Sequence, residues 1–205
     1  MLEIEIKLVV SSGLSAMRKA VRALNFKVAQ ARAFERNTLF DTVDLQLRRK
    51  GEMIRIRRVG PRSILTLKGP SIPGPHKSRE ELECEVSDPD TMELILARLS
   101  LLPLFRYEKF REEFTRPGRP GTITLDQTPI GNFLELEGAP AWIDRTAREL
   151  GFSRSDYITS SYGNLYLSNC RARGLSPSDM VFEARHAKGL GATPIGAPSN
   201  PETCR

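Results

Sequence analysis

Three short runs of this chain place a carboxylate at every second position: Glu3 and Glu5, then Glu81, Glu83 and Glu85, then Glu135 and Glu137. Asp126 adds a further acid, and basic residues follow the same spacing at Arg55 and Arg57 and at Lys109 and Arg111, with Lys7 and Arg79 in step with neighbouring acids and Lys68 in step with Thr66. A period of two puts such side chains on one face of a β-strand. Like charges crowded on one face cost stability unless charges of the other sign stand between them. Clustered carboxylates without His or Cys select hard divalent cations, Mg²⁺ or Mn²⁺. Arginines beside them suit phosphate oxygens, which a guanidinium grips in bidentate fashion. The set holds seven basic and eight acidic side chains, a net charge of −1. Two divalent cations bring it to about +3, close to balance with a triphosphate of about −4, so metal and substrate are expected to bind together.

The elements that must carry these residues are mostly strands. Leu2, Ile4, Ile6 and Leu8 alternate with Glu3, Glu5 and Lys7, and further strands are expected at residues 34–40, 53–58, 63–68, 79–86, 106–115, 122–127 and 132–137. Residues 41–44 and 60–61 read as turns, the second closing a hairpin. Amphipathic helices are expected at residues 14–24, 89–101, 140–150 and 161–172, the second opened by Asp88 as N-cap before Pro89. A single charged strand residue is ordinarily part of a solvated face. Here the helices need an apolar face to cover, so the charged face lies either outside or within a closed barrel. Eight strands leave room inside for a small ligand. The fold class is thus α+β, mainly β: about eight strands with antiparallel connections, and helices over the apolar face. Residues 1–173 form the domain. Residues 174–205 form a C-terminal extension with little apolar content toward its end, expected to be largely mobile.

Composition narrows the function classes. The 205 residues are 40% hydrophobic and 27% charged, an ordinary globular balance. The net charge of +6 invites a nucleic-acid partner. Aromatic stacking residues are not interleaved with the basic positions, however, so nucleic acid is not the expected partner. No apolar run reaches the roughly 18 residues of a membrane helix. Cys84, Cys170 and Cys204 lie far apart, an odd number, which fits reduced thiols in the cytoplasm. Cys84 and Cys170 are expected to fill apolar positions. The two histidines, His76 and His186, fall in loop-like sequence and offer no zinc site or catalytic triad; His76 is expected to be an exposed loop residue. No glycine-rich phosphate loop occurs.

The ordered motifs resemble those of the CYTH-domain proteins, also called triphosphate tunnel metalloenzymes, the superfamily of class IV adenylyl cyclases and thiamine triphosphatases. Glu3-Ile4-Glu5-Ile6-Lys7 is similar to the family's N-terminal ExExK signature. "LFDTVDLQLRRKGEMIRIRR" resembles its Phe-Asp-Thr turn and Arg-x-Arg strand, "LTLKGP" its Lys strand, "SREELECEV" its R-x-E-x-E strand and "KFREEF" its K-x-R strand. "TLDQTPIGNFLELEG" resembles its Asp turn and E-x-E strand, and "SYGNLYL" its last helix. The resemblance implies an eight-stranded antiparallel closed β-barrel forming a tunnel, with helices packed outside, and chemistry on a small-molecule triphosphate that depends on Mg²⁺ or Mn²⁺, with two ions expected. Carried over by position, Glu3, Glu5, Glu81, Glu83, Asp126, Glu135 and Glu137 are the metal-side acids. Lys7, Arg55, Arg57, Lys68, Lys109 and Arg111 form the phosphate clamp, and Arg79 serves the clamp or an ion pair. Glu3, Glu5 and Lys7 are the residues assigned to catalysis. Both monomers and homodimers occur in the family.

Triphosphate hydrolysis is the leading function. In that reading one metal bridges phosphate oxygens and a second lowers the pKa of an attacking water, while Arg and Lys supply positioning and electrostatic stabilisation. An adenylyl cyclase, with the substrate's own 3′-hydroxyl as nucleophile, uses the same motif residues. A non-catalytic polyphosphate or RNA binder is the third reading. Thiamine triphosphate as the specific substrate has little support: Trp142, the one tryptophan, falls on an outer helix where a core role is expected. Tyr162 and Tyr166 are expected to pack, with closure of one tunnel end as the alternative. The last helix has no basic residue before Arg171 and Arg173, which puts in doubt a phosphate contact from it.

Overall fold

The computed structural model describes residues 2–183. Eight strands close into a barrel: β1 (Leu2–Val9), β2 (Lys27–Asp41), β3 (Met53–Val59), β4 (Arg62–Lys68), β5 (Lys77–Glu85), β6 (Leu102–Arg116), β7 (Arg119–Thr128) and β8 (Gly131–Glu137). Their order around the barrel is β1-β5-β4-β3-β2-β6-β7-β8, with β8 returning to β1, and every neighbouring pair is antiparallel. The helices α1 (Leu14–Ala23), α2 (Gln46–Lys50), α3 (Pro89–Arg98), α4 (Pro140–Glu149) and α5 (Tyr162–Ala172) connect or follow the strands. Among the described residues no helix is long and apolar enough to cross a membrane.

The barrel is built with its apolar face outward. Ile6, Leu8, Ile123, Leu125, Leu134 and Leu136 leave β1, β7 and β8 on that face and pack against Met17 and Val21 of α1 and Trp142, Ile143 and Ala147 of α4. A smaller cluster joins Phe40 and Ile56 of the barrel wall to Leu96 of α3. Burial of these faces supplies the main driving force for folding and leaves the alternate, charged positions no direction but inward. Gly121, at φ 148°, makes room for this packing: a Cβ there would lie 2.6 Å from the Trp142 ring.

Several elements differ from the alternation pattern. β2 begins at Lys27 rather than 34, because bulges between Val28 and Gln30 and between Gln30 and Ala33 break its period of two. β6 begins at Leu102, directly after Ser100 turns the chain at φ 64°. The turn after Asp41 contains the short helix α2, where the Asp41 carboxylate accepts hydrogen bonds from the backbone N–H of Thr42, Leu47 and Arg48 at 2.8, 2.8 and 2.9 Å. Cys170 is buried, but Cys84 is exposed; Leu82 beside it is 50% exposed, since no helix covers that stretch of β5. Cys204 and the expected mobile tail lie outside the described residues, as does His186.

Residues 175–183 run back along the barrel. Met180 forms a parallel bridge with Tyr107, and its side chain joins Tyr107, Phe133 and Tyr162 in a third apolar cluster.

Candidate functional site

The inward positions enclose a cavity of about 680 Å³. Every side chain assigned above to metal, substrate or catalysis lines it except Asp126. One half of the wall is acid-rich. Glu3 and Glu5 project from β1, Glu137 and Glu135 from the paired β8, and Glu81 from β5 on the other side of β1. The other half is basic, with Arg55 and Arg57 on β3 and Lys109 and Arg111 on β6.

In the described conformation most acids hold a cation. Lys7 Nζ lies 2.9 Å from Glu5 and 3.2 Å from Glu135. Lys68 Nζ lies 2.7 Å from Glu3 and 2.9 Å from Glu81, and Arg79 Nε 3.2 Å from Glu3. Burial alone would raise the Glu5 carboxyl, but Lys7 and Lys77 outweigh it and hold it well below the usual range. For the same reason Glu5 and Glu135 keep the Lys7 ammonium charged, above its ordinary value. Glu83 accepts from Thr66 Oγ1 at 2.7 Å and sits 3.4 Å from Arg55 and 3.6 Å from Arg57, at the edge of the basic half.

Two carboxyls behave differently. Burial and the charges of Glu3 and Glu5 push Glu137 up to about 7, and it has no ion-pair partner among the described residues. Glu81 is also raised to about 7, by burial first and by Glu3, to which it is hydrogen-bonded. The acid-rich half thus sets five carboxyls, Glu3, Glu5, Glu81, Glu135 and Glu137, against four bases, Lys7, Lys68, Lys77 and Arg79. Among the described residues no three acids converge into a ready-made cation site, because their oxygens are turned toward Lys and Arg. The donor set is all carboxylate oxygen, which suits hard divalent cations.

Asp126 is fully buried behind the basic half. Its carboxylate accepts from Lys109 Nζ at 2.9 Å, from Arg111 Nε at 2.7 Å and Nη2 at 2.6 Å, and from the Tyr162 hydroxyl at 2.8 Å. Arg111 also pairs with Glu135. Tyr162 opens α5, and with Ser161 and Gly163 it forms one end of the cavity, so this helix closes a barrel end as well as packing. Tyr166 packs outside that end, against Phe105. Arg171 and Arg173 are exposed and take no part in the cavity wall. Trp142 is buried in the core beneath α4, far from a substrate role.

His76 corrects an expectation. It is buried, not exposed, and its Nε2 lies 2.8 Å from Asp144 Oδ1. Asp144 also takes the Tyr157 hydroxyl at 3.1 Å and pairs with Arg154, so the proline-rich loop is folded down against α4 and His76 does not line the cavity. Glu85, grouped above with the acids, instead pairs with Arg62 on the surface.

Alternation missed two residues that line the cavity, Lys77 and Tyr107, and one that stands behind its wall, Glu35. Lys77 lines the cavity two positions before Arg79, in the same inward register, with its Nζ 2.8 Å from Glu5. Burial and the nearby Lys7 bring it down to about 8. Tyr107 precedes Lys109 by two, and its hydroxyl oxygen accepts from Arg55 Nη1 at 3.2 Å. Glu35 stands inward on β2, opposite Lys109. The signal for all three is parity with neighbouring site residues; the proline-rich loop hides Lys77, because it puts the expected start of β5 at residue 79 rather than 77.

The CYTH domain family matches residues 1–162, and the chain belongs to that family. It is 28% identical over 172 residues to a Methanocaldococcus jannaschii protein named "Putative adenylate cyclase", covering 79% of this chain and 97% of the relative. A solved Pyrococcus horikoshii protein superposes with a TM-score of 0.68 at 26% identity, covering 82% of this chain and 99% of that one. A Hippeastrum protein, described as revealing a dominant triphosphatase activity, shares the fold with a TM-score of 0.59 at 19% identity, over 82% of this chain and 95% of its own.

Proposed function

We propose that this protein hydrolyses a triphosphate, inorganic or organic, inside the barrel, with the help of divalent cations. The observation that carries the proposal is the division of one small cavity into an acid-rich half on β1, β5 and β8 and a basic half on β3 and β6. Glu3, Glu5 and Glu137, with Glu81 and Glu135 beside them, are the residues that would hold the cations. When bound there, two divalent cations supply charge neutralisation of phosphate oxygens and acidification of the attacking water.

The protein's own part is positioning and electrostatics, which dominate phosphoryl transfer. Arg55, Arg57, Lys109 and Arg111 face the acids across the cavity and grip the phosphate chain. Lys7, Lys68, Lys77 and Arg79 pair with carboxylates of the acid half and line the same cavity, so they would serve the phosphates where cations hold those carboxylates. Glu83 is assigned to fixing Arg55 and Arg57. Asp126, whose oxygens are already taken by Lys109, Arg111 and Tyr162, is assigned to anchoring the clamp rather than to binding metal.

The assay measures phosphate release from tripolyphosphate, ATP and thiamine triphosphate with Mg²⁺ or Mn²⁺. Release that stops on chelation supports the proposal, and silence with all three from folded protein overturns it. The name of the archaeal relative favours a second reading, cyclisation of ATP. Cyclic AMP with pyrophosphate, in place of ADP with phosphate, would decide for it. Tight tripolyphosphate binding in chelator with no turnover would indicate a binding module instead.

A further inference from the structure

Buried on β2, behind the residues that line the cavity, is an acid that serves several cations without making directed bonds to them. Glu35 is 1% exposed, its closest cation is Lys109 Nζ at 3.5 Å, and its Oε2 takes part in no hydrogen bond. Two residues along, Asn37 is also 1% exposed and stands in register between Arg57 of β3 and Tyr107 of β6. Neither atom of its amide has a partner, and the same is true of Nε in both Arg55 and Arg57. Among the described residues, the other buried side-chain atoms without a partner are Trp142 Nε1 and Thr146 Oγ1, both on α4. A buried carboxylate without hydrogen bonds is costly unless strong fields hold its charge. Here burial is outweighed by Lys109, Arg111, Arg57 and Arg55, which keep Glu35 down at about 2.

We propose that Glu35 is a positioning residue that sets the anion affinity of the phosphate clamp, its charge offsetting part of the field of Arg55, Arg57, Lys109 and Arg111 so that phosphate products can leave. The proposal rests on the triphosphate reading of the cavity. Asn37, of nearly the same shape as Asp, occupies the next inward position of the same strand and keeps a second charge out of it. Charge rather than contact is the acting quantity, so the wall can be tuned in both directions by near-isosteric changes. Adding or removing one buried unit charge near a polyanion, at an effective dielectric constant of about 20, shifts affinity by about tenfold.

The test is calorimetric titration of the metal-free full chain with inorganic tripolyphosphate in excess chelator, at low and high salt. Glu35→Gln is expected to bind about tenfold more tightly, with a steeper loss of affinity on adding salt. Asn37→Asp is expected to bind about tenfold more weakly, and Glu35→Asp, which keeps the charge, within about twofold of the unmodified protein. In turnover with Mg²⁺, Glu35→Gln should show a lower KM and stronger inhibition by orthophosphate. Folded Glu35→Gln with unchanged or weaker affinity overturns the proposal, as does a Glu35→Asp shift equal to that of Glu35→Gln. Should Glu35→Gln fail to fold, Asn37→Asp decides, and unchanged or tighter binding there overturns the proposal. If the unmodified protein binds no tripolyphosphate, the triphosphate reading fails with it; binding with the wrong order among the variants sinks this inference alone.

Discussion

Glu5 of β1 and Glu137 of β8 are Cα partners across the ladder that closes the barrel, and both face the cavity. Direct opposition of two carboxylates is destabilising in a sheet. Glu5 is relieved by Lys7 and Lys77 at 2.9 and 2.8 Å, whereas Glu137 has no cation among the described residues. The fold therefore maintains a repulsion that an added cation, or protonation of Glu137, would remove. Replacing Glu137 by Gln is expected to raise the melting temperature of the metal-free protein by a few degrees. The same change should lower metal-dependent phosphate release by about a hundredfold or more. A variant that is less stable without metal, or fully active with it, would contradict this account of the pair.

Glu81 and Glu137 also set a pH dependence. Each is raised to about 7 in the folded protein, above its unfolded value, so the folded state binds more protons between about pH 4.5 and 7. Their contribution to stability is complete at the acid end of that window and is lost as pH rises through 7. Glu137 stands at the cavity mouth, where solvent screens it, so Glu81 carries the larger share. The metal-free protein should accordingly lose thermal stability from pH 5.5 to 8 (values of about these), and saturating Mg²⁺ or Mn²⁺, which favours the ionised carboxylates, should flatten the curve. Thermal scans with and without chelator provide the measurement. A metal-free curve that rises through 7 is the contrary result.

How far the sequence revealed the site depended on one kind of signal. Alternation assigned Glu135 and Glu137 to one face and Leu134 and Leu136 to the other, and the barrel keeps that division, with both leucines fully buried under the helices. The same rule could not reach Lys27 to Ala33, because bulges shift the period there. Nor could alternation state which acids stay free, since that depends on cross-strand register. Nothing in the spacing distinguishes Asp126, enclosed by Lys109, Arg111 and Tyr162, from Glu137, which faces the open mouth. His76 was misplaced for a related reason: its partner Asp144 lies 68 residues away on α4, and loop composition says nothing of such long-range contacts.

Asp126 joins three elements, with Lys109 and Arg111 on β6 and Tyr162 on α5 all donating to its carboxylate. Asp126→Asn keeps the shape but removes the buried charge that balances two cations. Breaking a buried pair in this way typically costs about 3–5 kcal/mol. Tyr162→Phe deletes one hydrogen bond to the same carboxylate and should cost about 1–2 kcal/mol. The two losses should fall short of additive in the double variant, because they share a partner. Denaturant unfolding of the three variants tests this, and strict additivity would mean that Tyr162 and Asp126 act separately.

The chain beyond the family match contributes to the closed end of the barrel. Met180 is 1% exposed and packs with Tyr107, Phe133 and Tyr162. Its backbone N–H donates to the Arg106 carbonyl at 2.9 Å, and its carbonyl accepts from Glu108 N–H at 3.0 Å. Phe182 continues the contact outside, its ring 5.3 Å from that of Phe110. Met180→Ala should leave a cavity beside Tyr107 and cost about 2–4 kcal/mol. Tyr107 is hydrogen-bonded to Arg55, so the loosened ring should also weaken the clamp and raise KM for the triphosphate more than it lowers kcat. Removing residues 175–205 should reproduce both effects, since it takes away the same side chain. If the truncated protein unfolds at the same denaturant concentration as the full chain, residues 175–183 are not part of the folded domain's stability and the boundary belongs at 173.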